Sequence, residues 1–427
     1  MASKSLRILI IGGYGAFGGR LTRILADEEG LTLLVAGRSK AKAEAFCRSI
    51  TGRATVLPAS FDRDADVAAM IASLHPDIVV DASGPFQEYG EAQYRVVEAC
   101  LAASVDYIDL ADATDFVCGI DRFNRAAQER NRFVISGAST CPALTAAVVR
   151  CLATDLAGIV GIEAGVAPSP HARVGLNVIS AVMSYAGRPL RLLHDGQDIK
   201  SIAVVDSRWH IVAPPGTKPL GARLFSLVDV PDLKLLPQAW PELKSVWLGA
   251  ATAPAIQHRM FILLARLSSA GMLRSLTRLA PLLHWLRGFA TWGADRGGMY
   301  VVVDGVDKGG AAVRRRWGLI AEGDDGPFIP TMAAAAIIRH CRDGRRPAAG
   351  ARSAQLELGY ADFEYFFRQK NIVAGVRDLP DEVDNAHPES PANLPSANLA
   401  ATPLSGRQHL VDLPLPGVRR SPLGCVE

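Results

Sequence analysis

The strongest constraint on this chain lies near its start. Arg7-Ile8-Leu9-Ile10-Ile11 is an apolar run of strand length that leads straight into Gly12-Gly13-Tyr14-Gly15-Ala16-Phe17-Gly18. Leu21, Ile24 and Leu25 then recur on one helical face. A buried strand, a glycine-rich turn and a helix, in that order, open a dinucleotide-binding βαβ unit. Gly12 can take the positive φ of the turn, Gly15 has no side chain where a pyrophosphate must approach, and Gly18 lets the helix pack against the strand. Gly12, Gly13, Tyr14, Gly15, Ala16, Phe17 and Gly18 are therefore read as a phosphate cradle. Its N–H groups at the helix N-terminus are unpaired, and the helix dipole favours negative charge there.

The next strand sharpens the reading. Leu31 to Ala36 is apolar and ends in Gly37-Arg38-Ser39-Lys40. That is roughly 20 residues past the turn, where an acidic residue would hold an NAD ribose. Two cations and a hydroxyl suit a 2′-phosphate instead, so Arg38 and Ser39 assign NADP(H) in preference to NAD(H).

Strand and helix patterns alternate through residues 1–155. A third strand near Thr55 to Pro58 is followed by Asp62, which can accept from an adenine amino group or cap the next helix. Asp77 to Ala82 is a buried strand that ends in Ser83-Gly84-Pro85-Phe86 and Tyr89-Gly90. Ligands in open α/β sheets lie beyond the carboxyl ends of strands, which places Ser83, Gly84 and Pro85 beside the cofactor near its nicotinamide half. Tyr107 to Leu110 is the next strand and Asp112 follows it. Phe133 to Ser136 precedes Gly137-Ala138-Ser139-Thr140-Cys141-Pro142, which opens a further helix.

Four blocks here resemble saccharopine dehydrogenase-like oxidoreductases. They are the Gly12-x-x-Gly15-x-x-Gly18 turn, Ala36-Gly37-Arg38-Ser39, Asp81-Ala82-Ser83-Gly84-Pro85-Phe86 with Tyr89-Gly90, and Glu98-Ala99-Cys100 with Asp106-Tyr107-Ile108-Asp109. Arg316-Trp317-Gly318-Leu319 and Gly326-Pro327-Phe328-Ile329-Pro330 resemble the segment by which such chains return to the nucleotide domain. The resemblance implies an α/β fold: an N-terminal Rossmann domain with a doubly wound parallel sheet, joined to a second α+β domain. It also implies hydride transfer to a C=N, C=O or conjugated C=C bond. Where the family has Gly-Glu and Gly-Phe-Asp-x-x-Pro-x-Asp, this chain has Ala111-Asp112 and Gly137 to Pro142, so an amino-acid substrate does not carry over.

The resemblance leaves Tyr89, Asp112 and Cys141 as catalytic candidates, with Cys141 at a helix start where a thiolate would be stabilised. The Tyr-x-x-x-Lys pair of short-chain dehydrogenases is absent, because no tyrosine has a lysine four residues later. A non-catalytic NADP(H)-binding protein is the alternative.

Residues 156–320 read as the second domain, carrying substrate contacts and homodimer pairing. Val174 to Tyr185, Ser201 to Val212 and Met299 to Val306 are its strand-like runs. Residues 257–292 are helical, with arginines among leucines and isoleucines. Charge interrupts the run too often for a bilayer span; the segment reads first as a core or subunit-interface helix pair, and its surface can otherwise line a lipid-like substrate or lie on a membrane. Residues 321–376 should return to the first domain, with a helix from Pro327 to His340 and a short strand from Gln355 to Tyr360. The proline-punctuated tail, 377–427, reads as disordered.

At 427 residues the chain can build two substantial cores. A formal charge of +3 is too small to argue for nucleic acid and no dense basic patch with interleaved aromatics appears, so no nucleic-acid partner is expected, and seven scattered cysteines indicate neither a disulfide framework nor a metal site. With no room for a signal peptide before the first strand, a cytoplasmic protein is expected.

Overall fold

The computed structural model describes residues 5–172, 175–273, 276–287 and 293–377. Its first half alternates β1 (Leu6–Ile11), α1 (Gly18–Ala26), β2 (Leu31–Gly37), α2 (Lys40–Arg48), β3 (Thr55–Ser60), α3 (Val67–Leu74) and β4 (Ile78–Asp81). It continues through α4 (Arg95–Ala102), β5 (Asp106–Asp109), α5 (Thr114–Cys118), α6 (Asn124–Glu129), β6 (Phe133–Ser136) and α7 (Thr145–Ala153). The strands pair in parallel, in the order β15-β6-β5-β4-β1-β2-β3, where β15 is Gly350–Ser353. Strands buried on both faces are read as continuous apolar runs, and β2 is buried at all seven positions. The order reverses between β1 and β4, so a crevice opens above their carboxyl ends.

The second sheet is mixed, in the order β10-β11-β12-β7-β13-β14-β16. Its strands are β7 (Leu156–Ala167), β10 (Ser207–His210), β11 (Arg223–Leu227), β12 (Ser245–Ala250), β13 (Arg296–Asp307), β14 (Ala312–Glu322) and β16 (Ile372–Val376). β8 (Pro189–His194) and β9 (Gln197–Ile202) form a separate hairpin. The helices are α8 (Leu176–Tyr185), α9 (Asp232–Ala239), α10 (Ala255–Ser269), α11 (Ala280–Arg287), α12 (Ile329–Arg342) and α13 (Tyr360–Phe367).

One core joins the two sheets through α7 and α12. In α12 the run Met332-Ala333-Ala334-Ala335-Ala336-Ile337-Ile338 is at most 1% exposed. Its small side chains let the helix backbone pack closely against α1 on one side and α13 on another. The segment after β14 is divided: α12 and β15 return to the first domain, whereas β16 completes the second sheet.

Two strand expectations fail. Residues 176–185 form α8, and Val174 lies outside the described residues. The β-branched residues suggested a strand, but Ile179 and Met183 share one helical face that packs on α11, with Ala186 just past the helix end in the same cluster; tertiary burial overrides the weak intrinsic preference. The late strand lies at Gly350–Ser353 rather than at Gln355 to Tyr360, where a 3₁₀ turn leads into α13. The amphipathic stretch is two helices, α10 and α11, and residues 288–292 lie outside the described ones. Among the described residues, no helix is long and apolar enough to cross a membrane. The tail from 378 onward also lies outside the described residues.

Candidate active site

The glycine turn has the geometry that a phosphate cradle needs. Gly12 has φ +74°, and a Cβ there would lie 2.8 Å from the Ala82 carbonyl oxygen. A Cβ on Gly18 would run into Gly12 backbone, 2.7 Å from its carbonyl carbon and nearer still to its oxygen. On Gly15 the one close neighbour of a Cβ is the Gly12 oxygen at 3.0 Å, so this side of the loop faces open space. Gly15 N–H closes the turn onto Gly12 O at 2.8 Å, whereas the N–H groups of Ala16, Phe17 and Gly18 make no backbone hydrogen bond among the described residues. No acidic residue stands in the first turn of α1. Free donors, an open approach and a helix N-terminus fit a pyrophosphate. The buried Thr22 hydroxyl holds the loop from behind, bonding to the oxygens of Gly13 at 3.1 Å and Gly18 at 2.9 Å.

At the end of β2, Arg38 is exposed, and Ser39 caps α2 by accepting from Lys42 N–H at 3.3 Å. The Ser39 N–H in turn donates to the Tyr14 hydroxyl at 3.0 Å. Asp62 stands half-buried beyond β3 and accepts from Asp64 N–H at 3.1 Å. The cap on α3 is Asp66, which accepts from Ala69 N–H, so Asp62 is not the cap that the sequence offered as one reading.

Beyond β4 a hydrogen-bond chain forms. Ser83 Oγ donates to Asp81 Oδ1 at 2.5 Å and lies 2.9 Å from the Tyr89 hydroxyl. Ser83 N–H also donates to Asp81 Oδ1, at 3.0 Å. Asp81 is 1% exposed. Burial raises its pKa, opposed by the Arg63 charge and the Ser83 bonds. The Arg63 guanidinium carbon lies 3.1 Å from the Tyr89 ring centroid, a cation–π stack that no local sequence pattern announces. Gly84 and Pro85 carry the backbone from this chain to Phe86, which packs on Tyr89 and Phe116.

The next strand end meets the second domain. Asp112 accepts from Gln87 Nε2 at 3.0 Å. It is open to solvent along the crevice yet crowded by protein, and this desolvation raises its pKa, with the Asp229 charge adding to it. Asp229 follows β11 and accepts from the Thr114 hydroxyl at 2.6 Å. Its backbone N–H donates to the Tyr185 hydroxyl, whose pKa is raised by burial and then by Asp112 and Asp229. Tyr185 and Asp229 thus come to the crevice from the second domain. Only the tertiary fold reveals them, since neither lies in a recognisable motif.

At Cys141 burial pushes the thiol well up, and the Asp232 and Asp112 carboxylates push it further, which is the opposite direction from the stabilised thiolate expected at a helix start. Its Sγ lies 3.5 Å from Thr145 Oγ1. Asp232, at the first position of α9, has no exposed surface, and burial raises its pKa to about 7. Asp109 is another carboxyl with no exposed surface. Its Oδ1 accepts from Ala111 N–H, Gly137 N–H and Ser136 Oγ at 2.8–3.0 Å, tying the loops after β5 and β6 together. Burial outweighs those bonds and raises its pKa to about 7 as well.

Comparison with known proteins agrees with this geometry. Residues 8–140 match the family model of the saccharopine dehydrogenase NADP binding domain. No curated protein matches the chain in sequence. Among solved structures, saccharopine dehydrogenase (L-Glu forming) from Saccharomyces cerevisiae is similar with a TM-score of 0.62 at 12% identity, over 87% of this chain and 100% of that one. A meso-dapdh mutant with DAP from Clostridium tetani E88 gives a TM-score of 0.40 at 11% identity, over 85% and 99%. A probable dehydrogenase from Thermotoga maritima gives 0.40 at 10%, over 86% and 98%. The yeast structure establishes a shared two-domain fold.

Proposed function

We propose that this saccharopine dehydrogenase-like, NAD(P)-dependent oxidoreductase reduces a C=N, C=O or conjugated C=C bond at the expense of NADPH. The substrate lies in the crevice between Tyr89, Asp112 and Tyr185. The observation that carries this reading is spatial. The open glycine cradle, the Asp81–Ser83–Tyr89 chain and the Asp112 crevice all stand at the carboxyl ends of adjoining strands β1, β4 and β5. Bound over that edge, NADPH supplies a hydride to the acceptor carbon.

The protein's own task is then one proton. Tyr89 Oη gives it to the acceptor nitrogen, oxygen or α-carbon. The Ser83 hydroxyl, which donates to Asp81 and lies 2.9 Å from Tyr89 Oη, holds the phenol in place, and Tyr89 recovers its proton from solvent once the product has left. Arg63 over the Tyr89 ring stabilises negative charge on the phenolic oxygen while the proton is in transit. Asp112 and Tyr185 orient the substrate from the opposite wall. The preference for NADPH rests on Arg38 and on the lack of a carboxylate at the end of β2.

The test is turnover with deuterium at the transferable position of NADPH, across imines, carbonyls and enoyl thioesters. Deuterium in a product, lost in Tyr89→Phe, is expected. Tight NADPH binding without transfer to any of these classes would favour the non-catalytic alternative.

One observation supports a lipid-like substrate or a peripheral membrane contact. On α10, Ile256, Arg259, Leu263 and Arg266 are exposed at helical spacing, with Ile256 at 72% and Leu263 at 57%. Apolar side chains flanked by arginines suit an anionic bilayer surface. Sedimentation with anionic vesicles, abolished in Ile256→Asp/Leu263→Asp, is the expected result; equal sedimentation of both proteins would remove this contact.

A further inference from the structure

We infer that the Tyr14 hydroxyl is a ligand of the cofactor's 2′-phosphate and a determinant of NADPH selectivity; the inference rests on the NADP(H) reading above. Tyr14 belongs to the glycine turn, but its side chain does not stay there. It crosses to the end of β2, where its Oη accepts from Ser39 N–H at 3.0 Å. The ring is pressed against Gly37: a Cβ on that residue would lie 2.6 Å from Tyr14 Cζ and 2.7 Å from Cε1. Glycine at 37 is thus needed for the tyrosine to reach this place.

The arrangement has a chemical consequence. Ser39 N–H stands at the end of β2, where a dinucleotide ribose is read, and it is already committed to Tyr14. Because Tyr14 Oη accepts this bond, its own proton points elsewhere, and a donor that is itself accepting becomes a stronger donor. That leaves the hydroxyl proton free for a ligand at the end of β2, where the exposed Arg38 precedes Ser39 in the chain. A phenol and a guanidinium supply two charge-assisted bonds to one phosphate. With NADH in place of NADPH, the phosphate that receives both bonds is absent.

The test uses the full-length protein titrated with NADPH and with NADH, followed by nucleotide fluorescence. Tyr14→Phe keeps the ring over Gly37 and removes only the hydroxyl. NADPH should bind about tenfold more weakly, the loss of one hydrogen bond to a charged group, while NADH stays within about threefold of wild type. Gly37→Ala is the second variant. It leaves the hydroxyl on the molecule but pushes the ring off its seat, and it should show the same selective loss. An equal loss for both nucleotides in Tyr14→Phe would make Tyr14 a mere shaper of the loop and overturn the inference, as would no loss at all. Failure of the unaltered protein to bind either nucleotide would instead sink the NADP(H) reading itself.

Discussion

The glycines of the β1–α1 turn allow fold and ligand binding to be separated. In Gly18→Ala the new methyl group meets backbone: Gly12 C at 2.7 Å, Gly13 Cα at 2.9 Å and Gly12 O closer than either. Ordinary contact is about 3.5 Å, so the turn must shift by about an ångström, and no rotamer change can absorb it. An overpacked site of this kind costs about 1–3 kcal/mol, and the displaced turn loses the cofactor as well. In Gly15→Ala the methyl group meets only Gly12 O, at 3.0 Å. A shift of a few tenths of an ångström relieves it, and the lower entropy of the unfolded chain returns about 0.4–1 kcal/mol. Stability should therefore change by less than about 1 kcal/mol. The same methyl group stands where a pyrophosphate must approach, so NADPH affinity should fall by about two orders of magnitude, or about 2.7 kcal/mol. Thermal unfolding and an NADPH titration on the two variants measure both quantities. A Gly15→Ala protein that binds NADPH within threefold of wild type would refute the placement of the phosphates. A Gly18→Ala protein with unchanged stability would refute the packing argument.

Asp109 and Asp232 carry a pH signature. With folded-state pKa values raised to about 7 from the usual 3.8, each makes a stabilising contribution that is full below about pH 4. It is lost as pH rises towards 7, with a slope of up to about 1.4 kcal/mol per pH unit for each group. Asp109→Asn, which mimics the protonated acid, should flatten the pH dependence of denaturant-unfolding stability across that window; an unchanged slope would show that Asp109 does not titrate there. Cys141 should resist iodoacetamide at neutral pH, as followed by peptide mass spectrometry, because its thiol is pushed well up. Asp232→Asn removes one cause and should speed its alkylation, and rapid alkylation of the unaltered protein would restore the thiolate reading.

Much of the first domain could be read from residues alone because its determinants are local. Apolar runs bounded by glycine or aspartate mark β1, β2, β4, β5 and β6, and the roles of Gly12, Gly15 and Gly18 follow from backbone geometry within seven residues. Ser83 and Tyr89 were legible for the same reason, since they lie six residues apart on one loop. The second domain was less transparent. In α8, β-branched side chains point to a strand until the partner helix α11 is known. Arg63, Tyr185, Asp229 and Asp232 reach the site from separate elements, and no spacing rule joins them. Cys141 was placed at a helix start correctly enough to suggest a thiolate, but the deciding quantities were its burial and the approach of Asp232 from α9.

The most direct test of the account is a calorimetric titration of the unaltered protein with NADPH and, separately, with NADH. The account predicts saturable binding of both, with NADPH at least tenfold tighter, a difference of about 1.4 kcal/mol from the 2′-phosphate contacts. Equal affinity for the two would contradict the roles given to Arg38 and Tyr14, and binding of neither would reduce the glycine turn to a strand-to-helix connection.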